Sequence, residues 1–499
     1  MKRALAMALG AMLVAGSAVP AAAKSQVDFN GMYRTYMYGS WNSGFTSEKV
    51  DGVQNPDYFN DFFLIDRLQM DFGFHATDEV SVYWRLRAPA KERWGQATGP
   101  GGTGASLVSR YYYGQVKQDW GTLSIGRLKD GFADLGLASL GYAPAGPDVN
   151  ATGILPFDID EPMSGLHYVN RTDGGFQFAA AILRPETEFN NFAGHDETKD
   201  VYVIEPAFFW DGGGASFGIH YTRDHVQSDA DFSRFGYSVQ APAYKEYAIN
   251  PAFFQSFGDF TVHFEGKAGF GKAAKLDRTK KTGYDPDAEA KSSGYALYLD
   301  ADYNYGPGNV TLAAWWASGP DKLDPNNPDQ KAKGTVGMGG NFAPLIVAYG
   351  ANGNGWWKGP ISGYDPDNGG YKYYGAQNAI TVANSRAAEN LMVAGQQYDA
   401  NHMAVDLNGA HAFTDDLTFT YSIAYLTLNK VDPGAKKLIG YEADLGLQIQ
   451  LLDNLHLGTT IGYLMAGDAL KEWDNNTNTY STSKPDDAYN WLTTLTFSF

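Results

Sequence analysis

Apolar and polar positions alternate with a period of two along most of this chain. The final segment is the clearest. Trp491, Thr493, Leu495, Phe497 and Phe499 share one face; Leu492, Thr494, Thr496 and Ser498 share the other. Successive side chains of a strand point to opposite faces, so this spacing predicts strands, not helices. In the first such segment, Val27 to Tyr38, Val27, Phe29, Tyr33 and Met37 oppose Asp28, Asn30, Arg34 and Tyr36. In the second, Phe62 to His75, Leu64, Leu68, Met70, Phe72 and Phe74 oppose Arg67, Gln69 and Asp71. Val80, Val82, Trp84 and Leu86 then oppose Ser81, Tyr83, Arg85 and Arg87. Further along, Ile439, Tyr441, Ala443, Leu445, Leu447 and Ile449 oppose Glu442, Asp444 and Gln448.

The connectors alternate too, short with long. Short ones lie at Ala76 to Glu79, Gln118 to Gly121, Thr172 to Gly175, Asp211 to Gly214, Phe257 to Asp259, Gly306 to Gly308, Thr414 to Asp416 and Leu452 to Asn454. Each holds the Gly, Asn, Asp or Pro that a tight turn demands. Eight short turns and nine long polar connectors give 18 strands, with 16 as the alternative count. Strict alternation, an even strand number and one-sided short turns describe a transmembrane antiparallel β-barrel. Its apolar face meets lipid and its polar face lines water.

Between the chain ends no apolar run is long enough for a membrane helix. The 58 Gly, 32 Tyr and 29 Phe fit a barrel's turns and interfacial aromatic girdles. A secreted all-β enzyme or adhesin shares the periodicity. The signal segment, the alternating connector lengths and the aromatic end favour the barrel. Lys2 and Arg3 precede an apolar run from Ala4 to Val14 and the small residues Ala21-Ala22-Ala23. That is the form of a secretory signal peptide, expected over residues 1–23, with a single barrel domain over 24–499. Without its first 23 residues the chain loses Lys2 and Arg3 from its 38 basic residues. That leaves 36 against 56 acidic, a formal charge of −20. Nucleic acid is an unsuitable partner for such a surface. There is no cysteine, so neither a lipid anchor nor a disulfide framework is available.

Seven of the fourteen arginines fall between residues 34 and 127: Arg34, Arg67, Arg85, Arg87, Arg93, Arg110 and Arg127. Alternation puts Arg67, Arg85 and Arg87 on the polar face, and facing lipid each would cost a few kcal/mol near midplane. Together with Arg127 they form the expected basic wall of a pore constriction. The connector after the fifth strand, about Lys129 to Met163, carries Asp148, Asp158, Asp160 and Glu161, expected to fold inward and face that wall. A second long connector, about Gly319 to Asn390, is expected to cap the mouth or enter the lumen.

Gly121 to Arg127, followed by a long acidic loop, together with the arginine-rich first strands and the terminal Phe499, resembles the general porins of Gram-negative outer membranes. The tail, Gly440-Tyr441-Glu442-Ala443-Asp444-Leu445 with Gly462-Tyr463-Leu464, is similar to larger channels of about 18 strands. The resemblance implies a passive, water-filled channel for small hydrophilic solutes and ions, with a constriction loop and no cofactor. It implies Phe499 as an assembly signal read by the barrel assembly machinery, and lipopolysaccharide as the outer neighbour. The general porins imply a homotrimer; a count of 18 leaves monomer and trimer both open. A sugar- or anion-selective channel is the nearest alternative. A barrel-embedded hydrolase or a filled structural barrel is further off, since no G-x-S-x-G or H-E-x-x-H is present. The histidines are scattered, and Asp365-Pro366-Asp367 lacks the glutamate of a calcium loop, so no metal site is expected.

Overall fold

The computed structural model describes residues 26–41, 61–88, 107–128, 163–171, 175–185, 200–223, 229–232, 237–240, 245–277, 289–319, 345–348, 401–430, 436–470, 473–474, 479–480 and 484–499. Eighteen of its strands form one closed antiparallel wall. They are β1 (Gln26–Trp41), β2 (Asp61–His75), β3 (Val80–Ala88), β4 (Val108–Gln118), β5 (Gly121–Arg127), β6 (Met163–Arg171), β7 (Phe176–Pro185), β8 (Asp200–Trp210) and β9 (Gly213–Arg223). Then follow β10 (Lys245–Phe257), β11 (Phe260–Asp277), β12 (Glu289–Asn304), β13 (Gly308–Ala317), β14 (His402–Thr414), β15 (Leu417–Leu428), β16 (Leu438–Leu452), β17 (Leu455–Ala466) and β18 (Ala488–Ser498). Each pairs with its neighbours in sequence, and β18 pairs with β1 from Met32 opposite Ser498 to Trp41 opposite Tyr489. A short hairpin, Asp229–Phe232 with Tyr237–Gln240, extends the wall beside β11. Among the described residues there is no α-helix. Closure is what lets strands cross lipid, because no backbone edge is left unpaired. The expected count of 18 strands is present, seven of the expected short turns lie within the described residues, and the eighth, Thr172 to Gly175, lies outside them but for Gly175.

Phe499 lies at the seam. Its N–H donates to the Gly31 carbonyl at 3.0 Å, and the Gly31 N–H donates to the Phe499 carbonyl at 2.7 Å. The Phe499 ring lies against the bare Cα of Gly31, where any Cβ would collide with it. It also meets Phe29, centroid to centroid at 5.8 Å.

The outer face sorts by height. Near the short turns sit Phe29, Phe72, Phe208, Trp210, Phe253, Phe413, Phe419, Phe497 and Phe499, many in ring contact. Near the long connectors run Tyr202, Tyr221, Tyr247 and Phe270 in one chain of contacts, with Tyr295–Trp316, Tyr425–Tyr441 and Tyr463–Tyr489 further round. Between the two belts the exposed outer residues are aliphatic: Ile182, Ile204, Ile219, Leu299, Leu312, Val405, Leu407, Ile423, Leu445 and Ile461. From Tyr489 to Phe497 is eight residues, which at about 3.4 Å each and a tilt near 40° spans roughly 20 Å of membrane normal. Two aromatic girdles around an aliphatic band of that height match a bilayer.

One face assignment needs correction. Ile439 was expected outside with Tyr441 and Leu445, but it is fully buried and joins the inner cluster. Gly440 has φ +156° and the register against β15 shifts there, so the alternation slips by one residue. Such a bulge re-aims the side chain next to it.

Candidate functional site: the lumen

Arg34, Arg67, Arg85 and Arg87 face inward, on the side opposite the exposed Phe29, Phe62, Phe74 and Val82. Arg34 and Arg67 stand directly opposite each other across β1 and β2. Their repulsion is met by the Tyr36 ring, with the guanidinium carbons 5.8 and 5.6 Å from its centroid, and by Thr496, which accepts from Arg34 Nε at 2.8 Å. Arg85 grips Asp71 with both arms, Nε to Oδ1 at 2.5 Å and Nη2 to Oδ2 at 3.0 Å, and lies 4.7 Å over the Tyr111 ring. Tyr111 also donates to Asp71 at 3.3 Å, and Gln69 at 3.1 Å. Tyr83 and Tyr113 stack at 5.2 Å beside them. The wall is therefore arginine interleaved with tyrosine, with Arg85 paired to Asp71. Arg110 is the extra residue of a bulge between β3 and β4. Arg127 ends β5, after Gly126 at φ +133°, in register with Tyr112, whose ring is on the outer face, and with Ser164. It stands off the inner row of Arg34, Arg67, Arg85 and Arg87. The four acidic residues expected to face this wall, Asp148, Asp158, Asp160 and Glu161, lie outside the described residues, as does the signal segment.

A second set of acids does face inward. Glu265 on β11, Asp300 and Asp302 on β12, Asp406 on β14, and Glu442 and Asp444 on β16 lie on the inner side, each at most 3 % exposed, with Lys267 near Glu265. Neutral donors serve most of them. Thr311, Asn309 and Asn304 donate to Asp302 at 2.6, 2.8 and 3.1 Å; Ser422 and Asn408 donate to Asp406 at 2.7 Å each. His263 sits between Asp300 (3.0 Å) and Glu265 (3.2 Å), so it is not the partnerless wall filler its isolation in sequence suggested.

β3 and β12 are nine strands apart in a ring of eighteen, so Arg85 and Arg87 stand across the barrel from Asp300 and Asp302, while Glu442 and Asp444 on β16 are three strands from Arg34 on β1. With strands about 4.8 Å apart and tilted near 40°, the backbone ring is roughly 35 Å across. After side chains the open gap would be about 20 Å, more than two Debye lengths at physiological salt. The charges of β3 and β12 would not feel each other across plain water. One piece of chain inside the lumen narrows it. Leu345, Ile346, Val347 and Ala348, from the connector between β13 and β14, are all at most 5 % exposed and pack on the inner face of the wall. The Val347 and Ala348 N–H groups donate to the two Glu442 carboxylate oxygens at 2.6 and 2.8 Å. Ile346 N–H donates to Asp444 at 3.1 Å, and Asn490 donates to the Ile346 carbonyl at 2.8 Å.

No family model matches the chain, and no curated protein matches it. Among solved structures it is similar to Pseudomonas aeruginosa OprD, at 12 % identity over 96 % of this chain and 97 % of that one, with a TM-score of 0.46. It is similar to Pseudomonas aeruginosa OccK8 (OprE), at 10 % identity over 95 % and 98 %, TM-score 0.48. It is also similar to OmpT, an outer-membrane protein of Vibrio cholerae, at 11 % identity over 95 % and 98 %, TM-score 0.40.

Proposed function

We propose that the chain is an outer-membrane porin, a passive channel for small hydrophilic solutes and ions. One observation carries the reading: a closed wall with a girdled apolar outside and opposed rows of charge inside. Such a wall holds a polar path through lipid, and rings of fixed charge tune which ions take it. The acids of β11 to β16 are at most 3 % exposed, while on the basic side Arg34, Arg85 and Arg87 are all partly exposed and Asp71, 26 % exposed, is paired with Arg85. Water, where it passes, meets arginine more than carboxylate. That favours anions despite the formal charge of −20 and supports the narrower reading of an anion- or sugar-acid-selective channel. Stacked tyrosines beside the arginines would suit planar or ring-shaped solutes. Assembly machinery at Phe499, lipopolysaccharide contact and a trimer belong to the same proposal.

Liposome swelling tests it. Vesicles carrying the refolded protein should swell in small sugars, faster in a sugar acid than in an amino sugar of equal size. Vesicles that swell no faster than protein-free ones would overturn the channel reading. Equal rates for the acid and the amine would overturn the preference.

A further inference from the structure

We propose that residues 345–348 form a resident plug seated in a purpose-shaped socket, and that Glu442, Asp444 and Gly462 are the residues that hold it and so set the bore. The inference rests on the channel reading for its effect on transport, but not for the seating itself.

Three features make the socket. The first is the latch. Consecutive backbone N–H groups in a turn form a concave site for an anion. Here that site is taken by the chain's own Glu442, held through both carboxylate oxygens, with Asp444 on the next N–H. The site is filled, so it is not a solute site. The second is the notch. A Cβ on Gly462 would collide with the Ile346 side chain and with the Asp444 carboxylate, and come within 3.0 Å of Val347. Only glycine lets the segment lie this close to β17. The third is the apolar cluster. A pore wall is ordinarily polar inside, but Leu345 to Ala348 belong to one buried apolar cluster of the inner face, which mixes small side chains such as Ala404, Ala424 and Ala488 with large ones such as Tyr298, Trp315, Leu464 and Leu492. The segment therefore lies along β16 to β18, between the acidic arc and Arg34 on β1, and narrows the lumen there.

The natural chain has no cysteine, so Val347→Cys carries a single thiol without further change. In the refolded, heat-modifiable barrel a charged water-soluble maleimide should label Cys at 347 far more slowly than Cys placed at the exposed turn position Asp259. Adding Gly462→Val, or Glu442→Gln with Asp444→Asn, should raise that rate by roughly tenfold or more, since each loosens a locally seated unit. Without the cysteine, both sets should raise single-channel conductance. Gly462→Val crowds both the seat and Asp444, whereas the amide pair weakens the latch without crowding, so one failing to fold leaves the other as the test. If Val347→Cys labels as fast as the turn control in the parent barrel, the plug is not seated. If folded latch and notch variants label and conduct like the parent, these residues do not hold it. If labelling rises but neither the parent nor the variants conduct, the seating stands and the channel reading fails.

Discussion

Replacing Arg85 and Arg87 together by alanine is the sharpest test of the basic wall. It removes two inward cations and leaves Asp71 with Tyr111 and Gln69 as its remaining donors. A monovalent ion passing about 6 Å from one such charge feels roughly 0.7 kcal/mol in water, which screening at physiological salt cuts to about 0.35. Two charges give about 0.7 kcal/mol, of opposite sign for anion and cation. Their permeability ratio should then move toward cations by about 1.4 kcal/mol, or close to tenfold. The assay is the reversal potential of single channels in a potassium chloride gradient. Arginine to alanine also changes the bore, so two controls separate size from charge. Arg85→Lys with Arg87→Lys keeps the charge and should keep the parent ratio. Arg85→Gln with Asp71→Asn neutralises a pair whose members cancel, and should move the ratio far less than the double alanine. Asp71 and Arg85 are each about a quarter exposed. Losing one partner should therefore cost roughly 1–2 kcal/mol of stability, between the surface and fully buried limits. A double alanine barrel with the parent's conductance and reversal potential would refute the placement of these arginines on the solute path.

Other expectations follow from the wall. Phe499→Ala removes the ring that closes the seam over Gly31, and Gly31→Val pushes that ring out; both should lower the heat-modifiable fraction in outer-membrane extracts several-fold, and normal levels in both would show the seam contact to be dispensable. His263→Ala leaves Asp300 and Glu265 facing the gap it vacates, all at most 1 % exposed, and should cost on the order of 3 kcal/mol in a urea titration of the refolded barrel. Replacing all three by leucine should cost less than that single change, and a larger loss would argue that the cluster is net stabilising. If residues 1–23 are a removed signal, terminal sequencing of protein from outer-membrane extracts should begin at Lys24, and a start at Met1 would refute it.

Much of the barrel was legible because its driving pattern is local. A strand half in lipid needs alternation, and a two- to four-residue turn needs Gly, Asn, Asp or Pro; Val80 to Arg87 and Asp453-Asn454 carry those signals on their own. Where local rules break, the reading slipped. Nothing in Ile439-Gly440-Tyr441 announces that Gly440 takes φ +156° and turns Ile439 inward. The arginine row was visible as alternation. Its partner Asp71 was on the same polar face, but pairing with Arg85 depends on register across β2 and β3. The acidic arc was also encoded, as Asp300 with Asp302 and Glu442 with Asp444, each two residues apart. What hid it is that strands distant in sequence share one arc only once the ring closes. The socket was least legible, because inward alanines such as Ala404 and Ala424 look in sequence like a weak lipid face. The segment they receive, Leu345 to Ala348, sits in a connector with no period to read.

The central claim is that this wall surrounds a conducting path whose accessible charge is positive. The reversal potential of the unaltered protein in a planar bilayer, under a tenfold potassium chloride gradient, tests it most directly. The account predicts discrete open channels whose reversal potential has the sign of anion preference. A folded barrel that does not conduct, or one that conducts with the sign of cation preference, would contradict it.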